Sequence, residues 1–263
     1  MELTLAGRAA IVTGASKGLG AASAALLAAE GARLLLTARS VDLLEREAAE
    51  LRDAHGAKVA VCPADLTEPG AADAVAKAAL DAFGRIDILI NCAGAAQGGV
   101  FWEIADEVWD DALGLKLMGT VRMIRAVIPA MREQGYGRIV TVIGNNGRQP
   151  NPRTIPGSAA NAALLAVTKG LADEVAKDGI AVNAVNPGPT RTERWTTLMA
   201  NLGTASGRSA AEVEAGFIAE VPLGRLAEPE EIARFIVFLA SDASGNMTGA
   251  SLTADGGQTR ALA

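Results

Sequence analysis

Short apolar runs alternate with longer segments of helical period along most of the chain. The run Ala9 to Val12 precedes an Ala-rich segment from Leu19 to Glu30, and Leu34 to Thr37 precedes a segment from Leu43 to Asp53. Short apolar runs are typical of buried strands, and a period of about 3.6 residues is typical of helices. The same rhythm continues with Val59 to Val61 before Ala71 to Phe83, Ile86 to Ile90 before Glu107 to Glu133, Ile139 to Val142 before Ser158 to Lys177, then Ile180 to Val185, a helix from Pro229 to Ala240, and a last strand near Ala250 to Leu252.

This alternation predicts an α/β fold. Strands that are apolar on both faces and separated by helices form parallel sheets, because each crossover lays a helix on one face of the sheet. We therefore predict a Rossmann-like doubly wound parallel sheet with helices on both faces. No break in composition divides the 263 residues, so we expect a single domain over 1–263.

Composition and charge narrow the function classes. Apolar residues make up 50% of the chain, and 24 Lys and Arg against 30 Asp and Glu give a net charge of -6 without a basic run, which argues against a nucleic-acid partner. With Cys62 and Cys92 far apart and His55 the one histidine, we expect neither a metal site nor a Ser-His-Asp triad. We find neither a signal-peptide pattern nor an apolar segment of membrane-spanning length, so a soluble cytoplasmic protein without a membrane partner is expected.

A glycine-rich turn directly follows the first predicted strand. Thr13 to Gly20 has the sequence TGASKGLG and leads into a predicted helix. Glycines permit a tight turn and a close approach of the backbone, and the amides at a helix N-terminus favour a phosphate group. The position of the turn in an alternating chain predicts a dinucleotide site. The expected cofactor-binding residues of the turn are Gly14, Ser16, Lys17, Gly18, Leu19 and Gly20.

The end of the second predicted strand favours NADP(H) over NAD(H). NAD sites place an acidic residue there, which binds the adenosine ribose. This chain has Ala38 followed by Arg39, and Lys17 lies in the glycine turn. These two cations would flank a 2'-phosphate with no carboxylate to repel it. The alternative is that both are ordinary solvated cations.

Five motifs together resemble the short-chain dehydrogenase/reductase family. They are Thr13 to Gly20, Asp65-Leu66, Asn91-Cys92-Ala93-Gly94, Asn186-Pro187-Gly188 and Asp255-Gly256-Gly257. The resemblance covers nearly the whole chain, and most members of that family transfer a hydride between NAD(P) and a carbonyl or alcohol. It implies a contact of Asp65 with the adenine. The cofactor-binding residues carried over with these motifs are Asp65, Leu66, Asn91, Ala93, Gly94, Pro187, Gly188, Thr190 and Thr192.

The family's catalytic Tyr-x-x-x-Lys pair has no counterpart in this sequence. In family members the phenol acts as acid or base, and the Lys lowers the pKa of the phenol and holds the ribose. Tyr136 is the one tyrosine of this chain, and Val140 stands four residues later. General acid-base catalysis is worth about 10²- to 10⁴-fold, so turnover would require replacement groups.

Alignment of the helix around Thr168 to Ala172 with the family helix locates the substituted positions. Gly157 corresponds to the family's Tyr and Asn161 to its Lys, while Gly144 corresponds to its Ser and Lys116 to its helix Asn. An Asn and a Lys therefore exchange places.

Lys116 lies on an otherwise apolar face of its predicted helix. At the helical period it shares a stripe with Trp109, Ala112, Gly119 and Met123. Burial would lower the pKa of its amine, which makes it a candidate proton donor, ribose ligand or anchor for a substrate carboxylate. The alternative is a lysine that reaches water while its stem lies in the core.

Three more polar residues are predicted near the same cavity. Asn145 follows Gly144 at the end of a parallel strand, where ligands bind in such folds, and its amide could donate to an oxyanion; it is equally suited to a turn. Ser158 is the hydroxyl nearest to Gly157 in sequence. The candidate catalytic residues are Lys116, Asn145, Ser158 and Asn161.

The segment from about 190 to 224 resembles the family's substrate lid. Arg191, Arg194 and Trp195 lie at its start, and with Arg148 and Arg153 they would suit a small anionic substrate at the pocket mouth. Solvated surface charge is the alternative.

These features leave three hypotheses. The first is an NADP-dependent oxidoreductase with a non-standard active site that acts on a carbonyl or alcohol. The second is a non-redox lyase, isomerase or hydratase on the same fold, and the third is a catalytically inactive NADP-binding protein. The resemblance alone implies a homodimer or homotetramer.

Overall fold

A computed structural model describes residues 2–94 and 97–261 of the chain. These residues contain seven strands in one parallel sheet, in the order β3-β2-β1-β4-β5-β6-β7. The sheet confirms the predicted doubly wound α/β class. The strands are β1 Ala9–Thr13, β2 Arg33–Thr37, β3 Val59–Val61, β4 Ile88–Asn91, β5 Gly137–Val142, β6 Ile180–Pro187 and β7 Ser251–Ala254.

Helices connect these strands and cover the sheet on both faces. Their bounds are α1 Gly18–Ala29, α2 Val41–His55, α3 Ala71–Phe83, α4 Asp106–Asp111, α5 Thr120–Glu133, α6 Ile155–Val175, α7 Glu193–Ser206, α8 Ala210–Ala219 and α9 Pro229–Ala240. None of the helices in the described ranges is long and apolar enough to cross a membrane.

Two hydrophobic clusters lie on opposite faces of the sheet. One joins α1, α2 and α9 to the sheet, and the other joins α3, α5 and α6 to it. Successive strand residues alternate between the clusters: Leu34 and Leu36 belong to the first, and Leu35 to the second. Because every central strand is buried on both faces, apolar runs rather than alternating patterns encode this sheet.

The sheet order creates a crevice between β1 and β4. The chain runs from β1 outwards through β2 and β3, and then returns to the other side of β1 to place β4. Loops leaving the carboxyl ends of these two strands diverge to opposite sides, and ligands of doubly wound folds bind where that happens.

The segment predicted to be helical from Glu107 to Glu133 is helical throughout, but its geometry changes in the middle. A π-helical segment, Ala112–Gly119, separates α4 from α5 and contains Lys116. Glycines at 114 and 119 weaken α-helical geometry there. Wider turns of this kind within helices are frequently found at functional sites.

The segment 190–224 contains α7 and α8, which pack against each other. Trp195 donates through Nε1 to Glu214 at 3.1 Å and meets the Phe217 ring edge to face. At the base of the segment, Arg191 N donates to Ala227 O at 2.9 Å, and Ala227 N donates to Pro189 O at 3.0 Å. The two ends of the segment are therefore held together at the sheet.

Candidate active site

The glycine turn after β1 is shaped by contacts that leave no room for side chains. Gly14 has a φ of +65°, and a Cβ placed on it would lie 2.9 Å from Ala93 N. A Cβ on Gly20 would overlap the carbonyl oxygen of Gly14. The turn therefore requires glycine at both positions, and it leads directly into the N-terminus of α1, which begins at Gly18. That helix end offers unpaired amides to an anion.

The loop after β4 is fixed to the same turn. The hydroxyl of Thr13 accepts hydrogen bonds from Cys92 N and Ala93 N, each at 3.1 Å. Asn91 ends β4 and is buried, and among the described residues its Oδ1 has no hydrogen-bond partner. A buried acceptor without a partner at this point suits a ligand whose hydroxyl group donates a hydrogen bond.

Asp65 lies beyond the end of β3, beside the buried Leu66. Its Oδ1 accepts from Thr67 N at 3.0 Å and from the Thr67 hydroxyl at 2.7 Å. These hydrogen bonds lower the pKa of the carboxyl. Arg39 reaches within 3.9 Å of the same carboxylate.

Lys17 is also paired across the cleft, so the expectation that no carboxylate lies near the two cations was wrong: Asp65 lies beside Arg39 and Glu193 beside Lys17. Its Nζ lies 3.2 Å from Glu193 Oε2 at the start of α7, and both side chains are exposed. Ser16 and Leu19 lie on either side of it in the turn, and both are partly buried. Exposed pairs of this kind contribute about 0–1 kcal/mol, so a bound phosphate can replace them at little cost.

Backbone contacts also hold the loop after β6. A Cβ on Gly188 would lie 2.7 Å from Asp255 Cβ, and the Thr190 hydroxyl donates to Gly188 O at 3.0 Å. Thr192 caps α7 by accepting from Trp195 N at 3.2 Å. Pro187 ends β6 itself. The predicted residues of this loop therefore lie at the carboxyl edge, beside the glycine turn.

Lys116 reaches the carboxyl end of β5. Its Nζ donates to the carbonyl oxygen of Ile143 at 2.7 Å. Its stem packs on Gly94, where a Cβ would lie 2.9 Å from Lys116 Cγ. Burial, together with the positive charge of Arg194, lowers the pKa of the amine to about 7. The partner carbonyl of Ile143 was not identified from the sequence, because a backbone acceptor carries no side-chain signal.

The residues on the same helical face as Lys116 lie towards the protein interior. Ala112, Gly119 and Met123 are buried, and Trp109 is half-buried. The amine of Lys116 is not released to solvent away from the sheet; it is held at the sheet edge by a backbone acceptor.

Gly144 and Asn161 lie close together at the carboxyl end of β5. Gly144 has a φ of +119°, and a Cβ there would lie 3.1 Å from Asn161 Nδ2. Asn161 is 5% exposed, and its Oδ1 has no hydrogen-bond partner within the described residues. Gly157 is buried one helical turn earlier on α6. A backbone with this φ strains any side chain, so the conformation at Gly144 suits glycine and not a serine.

The other two catalytic candidates have partners of their own. Asn145 donates through Nδ2 to Gln258 Oε1 at 2.8 Å, which holds the segment after β7 against the loop. The Ser158 hydroxyl is buried and donates to Thr154 O at 3.1 Å within its own helix. Lys116 and Asn161 both lie at the carboxyl end of β5, beside Ile143 and Gly144, whereas the side chains of Asn145 and Ser158 already have hydrogen-bond partners.

The one tyrosine lies at the opposite edge of the sheet. Tyr136 precedes the amino end of β5, and its hydroxyl donates to Asp242 Oδ1 at 2.9 Å. The guanidinium groups of Arg8 and Arg138 lie 3.9 and 4.4 Å from its ring centroid. Burial raises the pKa of the phenol to about 12. Tyr136 therefore lies away from the candidate active site and has a structural role.

Arg194 closes the cleft from the side of α7. Its Nη1 donates to the carbonyl oxygen of Gly94 at 2.7 Å, and burial lowers the pKa of the guanidinium. Arg191, by contrast, pairs with Glu228 at 3.0 Å. The described residues contain no cluster of three His, Cys, Asp or Glu side chains that would hold a metal ion.

Comparison with known proteins adds to this geometry. The family model described as Enoyl-(Acyl carrier protein) reductase matches residues 14–259. The chain is 36% identical over 251 residues to 3-oxoacyl-(acyl-carrier-protein) reductase FabG of Escherichia coli, covering 95% of this chain and 97% of the relative. It is also 36% identical over 254 residues to acetoacetyl-CoA reductase of Rhizobium meliloti, covering 95% and 98%.

A solved structure has the same fold over the entire chain. L-sorbose reductase from Gluconobacter frateurii, complexed with NADPH and L-sorbose, superimposes with a TM-score of 0.94 at 35% identity and covers 100% of both chains. The sheet order, the glycine turn and these matches lead to one conclusion. The chain belongs to the short-chain dehydrogenase/reductase family.

Proposed function

We propose that this protein is an NADP-dependent oxidoreductase that interconverts a carbonyl and an alcohol, with Lys116 in place of the family's usual proton donor. The observation that carries the proposal is the Lys116 amine at the carboxyl end of β5, held by Ile143 O at 2.7 Å and depressed in pKa to about 7. The names of the matched relatives, all reductases, support the reaction class.

The residues of the crevice fit a dinucleotide. The glycine turn would receive the pyrophosphate at the start of α1, since the close backbone packing at Gly14 and Gly20, which leaves no room for a Cβ, leads directly into the amides of that helix end. The unpartnered Oδ1 of Asn91 would accept a ribose hydroxyl, and Asp65 and Leu66 would lie at the adenine. Ala93 and Gly94 would line the cleft, with the loop from Pro187 to Thr192 beside it.

Two exchangeable cations favour NADP over NAD. Arg39 and Lys17 each contact an exposed or half-buried carboxylate, Asp65 and Glu193. A 2'-phosphate carries more charge than either carboxylate and accepts bidentate hydrogen bonds from Arg. The NADPH found in the matched L-sorbose reductase complex supports the same choice.

Lys116 would act on the oxygen of the substrate carbonyl. When bound, the reduced nicotinamide supplies a hydride to the carbonyl carbon, and negative charge develops on the oxygen. An ammonium has three N–H donors, and Ile143 takes one, so Lys116 retains donors for this oxygen. A pKa near neutrality suits a group that must both carry a proton and release it. Lys116 would therefore stabilise the developing alkoxide and protonate it.

Asn161 would take over a binding role from the family's lysine. Its buried Oδ1 lacks a protein partner, and an unsatisfied buried acceptor costs about 1–3 kcal/mol. A ribose hydroxyl of the cofactor would satisfy it. Asn145 and Ser158 stay predictions; the first would need to release Gln258 before its amide could reach substrate.

Absorbance at 340 nm with NADPH and a panel of ketones and aldehydes tests the proposal. We expect cofactor oxidation with at least one carbonyl compound, and its loss in Lys116→Met. A thermal-shift titration with NADPH and NADH runs in parallel, because a ligand that binds the folded state raises Tm. Stabilisation by NADPH without turnover of any carbonyl would contradict the oxidoreductase activity, and no stabilisation by either nucleotide would contradict the cofactor.

A further inference from the structure

Two cations at the cleft differ from their neighbours in having no carboxylate partner. Lys17, Arg39 and Arg191 each lie within 4 Å of a carboxylate oxygen. Among the described residues, Arg194 and Lys116 form no ion pair, and their terminal nitrogens donate to the carbonyl oxygens of Gly94 and Ile143.

Gly94 brings the two cations together. Arg194 holds the carbonyl of Gly94 at 2.7 Å, and the Lys116 stem packs against its Cα, where a Cβ would lie 2.9 Å from Cγ. The charge of Arg194 also contributes to the lowered pKa of Lys116. The Lys116 side chain is partly buried, whereas Arg194 is exposed to solvent at the same point of the cleft.

Such an arrangement favours an anion between or beside the two groups. A partly buried ammonium without a counter-charge costs free energy, and an anion that also reaches the neighbouring guanidinium recovers part of it through charge-assisted hydrogen bonds. The planar guanidinium uses only one of its five donors on Gly94, and it can present a fork to a carboxylate. Lys116 would then face the neighbouring carbonyl of the same molecule.

We propose that Arg194 is the specificity-determining residue for a substrate carboxylate, and that the substrates are short oxo acids whose carboxylate lies within a few bonds of the reacting carbonyl. This inference rests on the proposed reductase function for the reaction, but the anion site itself does not. The pyrophosphate of the dinucleotide has the same anionic chemistry, so the experiment must separate the two sources.

Matched acids and esters separate substrate recognition from catalysis. We would measure kcat/KM with NADPH for 2-oxobutanoate, acetoacetate and 4-oxopentanoate, and for the methyl ester of each. A hydrogen-bonded charge pair is worth about 1.5–3 kcal/mol, or roughly 10- to 150-fold. Arg194→Gln is expected to lower kcat/KM by that factor for the best acid and by less than about twofold for its ester. Arg208→Gln is the matched control, because Arg208 also donates to a backbone carbonyl, Glu212 O at 2.9 Å, at the far end of α7.

Calorimetry gives a readout that does not depend on turnover. Butanoate is expected to bind the wild-type protein with NADP⁺ more tightly than butanamide does, and Arg194→Gln is expected to remove the difference. Butanoate binding that depends on Arg194, together with no turnover of any oxo acid or ester, would defeat the reductase function and leave the anion site standing. Equal loss for acids and esters, or weaker NADPH binding in Arg194→Gln with an unchanged acid-to-ester ratio, would overturn the inference.

Discussion

The carboxyl edge of the sheet has two parts that are built differently. At the ends of β1, β2 and β4, the nucleotide part consists of glycines and backbone amides, held by contacts such as Thr13 to the amides of 92 and 93. At the end of β5, the part to which we assign the reaction, called the reaction part below, contains two polar side chains, Lys116 and Asn161. The shape of the first part is fixed by backbone packing, whereas the shape of the second depends on how individual side chains are oriented.

The two parts also differ in what limits their side chains. A Cβ cannot be added to the glycine turn without moving backbone atoms. At the end of β5, by contrast, the φ of +119° at Gly144 excludes a side chain and leaves the space to Asn161. The amine that lies at this end of β5 comes from another element, the π-helical segment.

Replacement of Lys116 should have the largest effect. Lys116→Met keeps most of the length of the side chain and removes the amine that would donate the proton. We therefore expect kcat/KM for carbonyl reduction to fall by about 10²- to 10⁴-fold. The NADPH dissociation constant, measured by fluorescence titration, should change little. Lys169→Met is the control, since Lys169 is exposed and paired with Asp173 on α6. Unchanged turnover in Lys116→Met would assign the chemistry to another group.

Gly20→Ala tests the nucleotide part with the next largest effect. The added methyl group would overlap the carbonyl oxygen of Gly14, and overpacking of this kind costs about 1–3 kcal/mol. We expect weaker NADPH binding and a lower free energy of unfolding in chemical denaturation. Gly170→Ala is the matched control, because nothing lies within 4 Å of its Cβ position in α6; it should stabilise the helix by about 0.5–1 kcal/mol. Similar behaviour of the two variants would contradict the tight fit of the turn.

Much of the nucleotide part could be predicted from the sequence, because its signals are local. Glycines at fixed spacing after an apolar run indicate the turn, and Ala38-Arg39 marks the end of β2. For the reaction part, the sequence indicates candidate residues, which stay predictions, but not the contacts that they make. The stripe on which Lys116 lies was evident, but its contact with Ile143 O joins residues 27 positions apart. Likewise, nothing local predicts that the Asn145 amide is used by Gln258, 113 positions away.

Arg39→Gln should change cofactor preference by a moderate factor. Arg39 is 75% exposed, so its contribution to 2'-phosphate binding is screened by solvent. We expect the NADPH dissociation constant to rise about tenfold, as for a single charged hydrogen bond, with NADH binding unchanged. Arg46→Gln, on the exposed side of α2, serves as control. An equal loss for both nucleotides would remove Arg39 from the phosphate site.

The smallest expected effect is on thermal stability. The pKa of Lys116 is about 7 when folded against 10.5 ordinarily, so the unfolded state binds more protons between these pH values. The cost of burying the charge is then full below pH 7 and disappears as pH rises towards 10.5. Relative to wild type, Lys116→Met should gain about 4 °C in Tm at pH 6 compared with pH 9.5, a shift equivalent to 1–2 kcal/mol for a chain of this size. Lys169→Met should show no such pH dependence, and an equal Tm difference at both pH values would contradict the burial of the amine.

The pH dependence of kcat/KM for carbonyl reduction tests the role of Lys116 most directly. If the protonated amine donates to the substrate oxygen, kcat/KM should be constant below pH 7 and fall about tenfold per pH unit above it, because the pKa of Lys116 is about 7. Lys116→Met should retain a low rate without this fall. A wild-type profile that stays flat from pH 6 to 9, or the same fall in Lys116→Met, would contradict the account.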